Sequence, residues 1–149
     1  MLNTYYLTPD DSLNLIFRLG LAVLIGAIIG IERQLKHKPA GLRTHILVTF
    51  GSAVFIIIPL QTALSLTNPD ALSRVIQGVA TGVGFLGAGE IMRESVQESQ
   101  KIKIHGLTSA ASIWVSAGLG MAAGCGLWQL GLIGAVFTFV VLYLFKKLE

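Results

Sequence analysis

The chain has 149 residues, of which 53% are hydrophobic and 13% charged, and its mean hydropathy is +0.72. An average soluble domain carries about a quarter charged residues, so this chain has too little polar surface to coat a water-soluble globule. The net charge is +3, but the basic residues flank apolar segments and form no separate polar domain, which excludes a nucleic-acid-binding protein as the main interpretation. The composition indicates an integral membrane protein in a lipid bilayer.

Five apolar segments reach or approach the length of about 20 residues that a membrane-spanning helix needs. They cover about residues 13–31, 42–64, 71–92, 107–123 and 127–145. No Lys or Arg precedes Arg18, so the first segment lacks the positive start of a signal peptide and is predicted to be retained. The short turn Gly124-Cys125-Gly126 makes the last two segments an antiparallel hairpin. We predict a single transmembrane domain over residues 1–149, an all-α, compact bundle of five transmembrane helices.

The connections between these segments alternate in charge. The N-terminal tail and the second and fourth connections contain no Lys or Arg, whereas the first and third connections and the C-terminal end are basic. Their basic residues are Arg33, Lys36, Lys38, Arg43, Arg93, Lys101, Lys103, Lys146 and Lys147. The positive-inside rule then predicts an N-out, C-in orientation. Arg18 and Arg74 fall at the predicted outer ends, and Arg18 is predicted to snorkel to the lipid headgroups.

Small residues predict where the helices pack, because helices in lipid associate through close backbone approach. The predicted packing glycines are Gly26, Gly30, Gly82, Gly84, Gly87, Gly89 and Gly120. Residues 82–87 match GxGxxG, but the match lies inside a membrane span and is therefore not interpreted as a nucleotide site. The third span is either a tightly packed central helix, which we favour, or a broken helix whose backbone lines a polar cavity.

Polar residues at membrane depth indicate functional sites. Glu32, Arg33 and Arg43 lie around the first connection, and Arg74 and Gln77 lie one turn apart at the start of the third span. These residues form the predicted functional polar set. The structural alternative for Glu32 is an ion pair with Lys36 at i,i+4.

The acidic residues near the end of the third span give a candidate cation site. Glu90, Glu94 and Glu98 lie on one helical stripe, where like charges repel and need a neutralising group. Oxygen ligands suit magnesium, so Glu90 and Glu94 are the candidate ligands; the alternative is a solvated helix end. No firm metal site and no cofactor are predicted. The chain also lacks P-loop, HExxH and GxSxG motifs, so we predict no enzyme.

Four motifs occur in order along the chain: GAIIGIER at 26–33, PAGLRTH at 39–45, GVGFLGAG at 82–89 and GLTSAASIW at 106–114. Together they resemble the MgtC/SapB family of bacterial membrane proteins over about residues 12–145. The resemblance adds Thr44 and Thr108 to the predicted functional set. The chain departs from the family at Glu90, where an aliphatic residue is usual, and at His105, where Arg is common. Many members continue into a cytoplasmic domain after the fifth span, where this sequence ends.

The resemblance implies a multi-pass protein of the bacterial inner membrane, in a family connected with magnesium limitation, acid stress and virulence. The expected function is a non-enzymatic role in that adaptation, by modulating another membrane complex such as the F-type ATP synthase. The alternative is a small oligomeric transporter or channel for magnesium or protons that uses Glu90 and the glycine-rich third helix. The expected partners are the lipid bilayer, further copies of the chain and a membrane protein.

Overall fold

The computed structural model describes residues 11–62, 68, 70–95 and 106–144, with the backbone alone for 93–95. This part of the chain forms five α-helices and contains no strand. The helices are α1 (Ser12–Leu35), α2 (Leu42–Gln61), α3 (Ala71–Ser95), α4 (Leu107–Gly124) and α5 (Trp128–Leu144). The predicted all-α bundle of five helices is confirmed. The first four are long and apolar enough to cross a membrane, and α5 is a shorter apolar helix of 17 residues.

Local sequence features set the ends of these helices. The Asp11 side chain accepts a hydrogen bond of 3.1 Å from the backbone N–H of Asn14 and so caps the start of α1. Gly106, before α4, and Gly126, between α4 and α5, have φ angles of 88° and 78°. Only glycine adopts this left-handed region without strain, so these two positions allow the sharp entries into α4 and α5.

Consecutive helices run antiparallel, so the bundle has two distinct ends. One end carries the α1–α2 connection with Lys36 and Arg43, and we call it the basic end; the other carries the α4–α5 turn, and we call it the opposite end. Contacts between α1 and α4 show this direction: Arg33 meets Ser109 at the basic end, and Arg18 meets Gly124 at the opposite end.

Helix α4 lies at the centre of the bundle and contacts each of the other four helices. Glycine allows its backbone to approach α2: a Cβ atom on Gly120 would lie 2.7 Å from the Thr49 Cα. Helices α1 and α2 meet in the same way, because a Cβ on Gly30 would lie 2.7 Å from the Leu42 Cα and one on Gly26 would lie 2.7 Å from the Ile46 Cα. These contacts place small residues where helix backbones pack in lipid.

Helix α3 lies at the edge of the bundle and, within the described part of the chain, contacts only α2 and α4. It is continuous from Ala71 to Ser95, so the broken-helix alternative for the third span is wrong. The favoured alternative of a packed central helix is also wrong. A Cβ on Gly82, Gly84 or Gly89 would meet no atom within 4 Å, and only Gly87 approaches α4, at 3.2 Å from the Ala110 Cβ.

Candidate functional site

Five polar side chains are buried together among α1, α2 and α4 at the basic end. We call them the buried polar cluster: Glu32, Arg33, His45, Ser109 and Ser112, each between 0% and 3% exposed. Buried polar groups are destabilising unless hydrogen bonds or charges compensate them. The contacts within this cluster are therefore specific features of the fold.

Arg33 joins α1 to the first turn of α4. Its Nη2 donates a hydrogen bond of 2.6 Å to the Ser109 Oγ. The last turn of α1 reaches Ser109 because Gly26 and Gly30 let α1 lie directly on α2, beside α4. A guanidinium held by a hydroxyl in the interior fixes the spacing of these two helix ends.

His45 uses both ring nitrogens: Nδ1 bonds to the N-cap of its own helix, α2, and Nε2 reaches α4. Nδ1 lies 2.8 Å from the Gly41 carbonyl oxygen, which can only accept, so Nδ1 carries a hydrogen and donates it. Nε2 lies 3.1 Å from the Ser112 Oγ, and that hydroxyl also lies 2.8 Å from the Ser109 carbonyl oxygen. A neutral ring accepts from Ser112, and a protonated ring donates to Ser112 while the hydroxyl turns to Ser109. Both protonation states of His45 are therefore hydrogen-bonded at this site.

Glu32 carries the carboxylate of the cluster. Its Oε1 forms an ion pair with Lys36, which is the i,i+4 pairing that the sequence offered as the structural alternative. Its Oε2 is buried and accepts no hydrogen bond from the described part of the chain. The Lys36 Nζ also donates to the Leu142 carbonyl oxygen at 3.3 Å and lies 5.1 Å from the centre of the Tyr143 ring, so one ammonium connects α1 to α5. Glu32 and Arg33 are also the charges that face His45 from α1.

The other predicted functional residues lie outside this cluster. Arg43 and Thr44 line a groove between α2 and α3, with Arg43 exposed, and Thr108 is exposed on the first turn of α4. Arg74 and Gln77 are exposed at the opposite end of the bundle, where Gln77 donates a hydrogen bond of 3.3 Å to Ser73. The structure brings only Glu32 and Arg33 of the predicted set together.

Of the two candidate cation ligands, the structure describes the side chain of Glu90 but not that of Glu94. Glu90 is half-buried at the basic end of α3, and its buried Oε1 has no hydrogen-bond partner in the described part of the chain. The side chain of Glu94, and Glu98 with the rest of the third connection, lie outside the described residues. Within the described part of the chain, no three His, Cys, Asp or Glu side chains form a group that could hold a metal ion.

Arg18 is buried, 1% exposed, so the prediction that it snorkels to the headgroups is wrong. It points inward, donating 2.8 Å hydrogen bonds to the Asn14 Oδ1 and the Gly124 carbonyl oxygen. The last carbonyls of a helix lack intrahelical partners and carry partial negative charge, so a cation is stabilised there. Arg18 thus ties α1 to the α4–α5 turn. Asn14, four residues earlier on the same helical face, is the sequence feature that could have indicated this.

Sequence reasoning also missed three members of the buried polar cluster. It assigned no functional role to His45 or Ser112. Ser109 was part of a motif without an assigned role. All three belong to motifs that the sequence singled out, at 39–45 and 106–114. The contact between His45 and Ser112 spans 67 positions of sequence, so only the packing of α2 on α4 reveals it.

Comparisons with known proteins give one family match and several relatives. The sequence model of the MgtC family matches residues 19–149. Protein SrpB of Synechococcus elongatus is 50% identical over 99% of this chain and 84% of its own length. "Putative magnesium transporter YhiD" of Escherichia coli is 43% identical over 89% of this chain and 61% of its own length. Protein MgtC of Salmonella typhimurium is 41% identical over 81% of this chain and 48% of its own length.

The chain thus spans most of SrpB, but only about three fifths of YhiD and about half of MgtC. No solved structure is significantly similar to it. The match of the family model over most of the chain, the identity to these relatives and the helices apolar enough to cross a membrane lead to one conclusion: this chain is a membrane protein of the MgtC family.

Proposed function

We propose that this protein acts in the bacterial inner membrane in adaptation to magnesium limitation or acid stress. It does so without catalysing a reaction, through its helix bundle, by modulating another membrane complex such as the F-type ATP synthase. Membership of the MgtC family and the names of relatives such as "Putative magnesium transporter YhiD" support a magnesium-related role. The N-out, C-in orientation predicted by the charges places the basic end on the cytoplasmic side.

The buried polar cluster is the observation that carries this proposal. Charged groups inside a membrane bundle are expensive and mark functional sites by default. Here the carboxylate of Glu32 and the imidazole of His45 lie beside Arg33 between three helices. His45 has hydrogen-bonding partners in both protonation states, so a change of proton occupancy can reset the bond to Ser112 on α4. Such a reset alters how α2 meets α4 at the basic end, where a partner complex would dock.

The second candidate is a cation transporter or channel. It is favoured by the buried Glu90 Oε1, which no described group satisfies. A path through the middle of the monomer is disfavoured, because Ile25, Ile29 and Ile56 are fully buried between the two ends of the bundle. Transport would therefore need a route along α3, completed by another copy of the chain.

Complementation of a bacterial strain that lacks its own MgtC-family protein tests the proposal. Ser109→Ala removes the hydroxyl that binds Arg33, whereas Thr81→Ala removes an exposed hydroxyl on α3 and serves as the control. We expect Ser109→Ala to impair growth at low magnesium and Thr81→Ala to leave it unchanged, at equal amounts of protein in the membrane. Full growth at low magnesium with both Ser109→Ala and Glu32→Gln would show that the buried polar cluster is not needed for the function.

Purified protein in liposomes separates the two candidates. The proposed role predicts no magnesium or proton flux above that of empty vesicles. A flux that Glu90→Gln abolishes would favour the transporter instead.

A further inference from the structure

A groove of about 940 Å³ separates α2 from α3, and no residue of the buried polar cluster lines it. It exists because α3 packs more closely on α4 than on α2. Three glycines widen it: Gly51 on α2, and Gly78 and Gly82 on α3, none of which would meet an atom within 4 Å if it carried a Cβ. The remaining walls are mainly aliphatic or aromatic, with Arg43, Thr44 and Ser52 as their polar residues.

The groove has the length of one leaflet of a membrane. On α2 it runs from Arg43 to Phe55, which is about 18 Å at a rise of about 1.5 Å per residue. The hydrocarbon core of a bilayer is about 30 Å thick, so one leaflet contributes about 15 Å. The lining ends at Phe55 on α2 and at Val75 on α3, and Pro59 and Ala71, one turn further along, are both buried.

The open end of the groove carries an arginine on α2. Arg43 lines it in the first turn of α2, is exposed, and pairs with no acidic group in the described part of the chain. That turn has no acidic residue, and its N-cap, Gly41, offers no side chain to the helix amides. The positive end of the helix dipole therefore adds to the charge of Arg43. A guanidinium at such a position binds phosphate oxygens with charge-assisted hydrogen bonds.

We propose that this groove binds an acyl chain of an anionic phospholipid, whose phosphate lies against Arg43. The arginine at one end, the mainly apolar walls and the length of about one leaflet all match a lipid that enters from the basic end. A helix from a second copy of the chain fits less well, because it must cross the whole core of about 30 Å. The site is separate from the proposed function, which rests on the buried polar cluster.

Native mass spectrometry of the purified protein tests this proposal. The full chain is stripped of lipid in detergent and incubated with phosphatidylglycerol or with phosphatidylcholine of the same acyl chains, and the lipid retained per protein is counted. We expect the wild type to prefer phosphatidylglycerol. Arg43→Gln should reduce that preference about fivefold, the effect of one cation near a membrane surface. Arg74→Gln, an exposed arginine outside the groove, should leave the preference unchanged.

Two glycines of α3 provide a matched pair for the groove itself. Gly82→Leu fills the groove and should abolish retention of both lipids, whereas Gly84→Leu, equally open but outside the groove, should not. Gly51→Leu repeats the first change from the opposite wall. Equal retention by Gly82→Leu and Gly84→Leu, or an equal loss of preference with Arg43→Gln and Arg74→Gln, would overturn the proposal. A change of oligomeric state confined to Gly82→Leu, with lipid retention intact, would assign the groove to a second copy instead.

Discussion

Glycines have different surroundings in two regions of this protein: close helix contacts in one and open space in the other. Where α2 meets α1 and α4, Gly26, Gly30 and Gly120 lie against the backbone of the neighbouring helix. Along α3, Gly82 and Gly84 face open space, although the density of glycine there is higher. A pattern of small residues therefore predicts that another group can lie close to the helix backbone. It does not predict whether that group is a helix of the same chain or something else. In the first region the neighbour is another helix of the same chain, and for Gly82 we infer a lipid.

The largest expected loss of stability follows from a substitution where two helix backbones are in contact. Gly120→Ala places a methyl group 2.7 Å from the Thr49 Cα, and no flexible side chain can move aside, so the helices must separate. We expect the free energy of unfolding to fall by at least about 1–3 kcal/mol, the range for overpacked cores. Gly84→Ala should leave stability unchanged or raise it by up to about 1 kcal/mol through helix propensity. Unfolding in mixed micelles measures both, and equal losses would contradict the comparison.

An effect of the same order is expected from the buried one of the two arginines at the opposite end. Arg18→Ala leaves the Gly124 carbonyl oxygen without its 2.8 Å hydrogen bond and should destabilise the protein by about 1–3 kcal/mol. Arg74→Ala, on the exposed side of α3, should change stability by less than about 0.5 kcal/mol. The same unfolding measurement applies. A neutral Arg18→Ala would show that the inward arginine contributes no stability.

The smallest effect concerns thiol reactivity in the turn between α4 and α5. Burial raises the pKa of the Cys125 thiol, and the nearby Arg18 charge only partly opposes this rise. The reactive thiolate is therefore scarce at neutral pH, and labelling by a maleimide should accelerate with pH into a range above that of an ordinary cysteine. Ser73→Cys in a Cys125→Ser background, on the exposed face of α3, serves as the control and should label faster at pH 7. Equal rates at pH 7 would show that the turn is as accessible as α3.

Much of the architecture could be predicted, because hydropathy and length are local properties of the chain. The helices begin and end within a few residues of the predicted segments, and the Glu32–Lys36 pair follows from its i,i+4 spacing. The site was harder to predict. The sequence identified Glu32 and Arg33 from their charge at membrane depth. It grouped them with Arg43, which lines the groove between α2 and α3, and it left out His45, which bonds to Ser112. Charge alone does not tell on which side of a helix a residue lies.

By itself, the sequence determined that this is a membrane protein, that it forms five apolar helices with short connections, and that its motifs are those of the MgtC family. The tertiary structure decided how each helix is rotated about its axis. Amphipathic helices of soluble proteins reveal their buried face through polarity, but these helices are apolar on most sides and give no such stripe. Their rotation is set by which backbones can approach each other. That choice turned Arg18 inward, brought His45 to Ser112, and left Gly78 and Gly82 of α3 facing a groove.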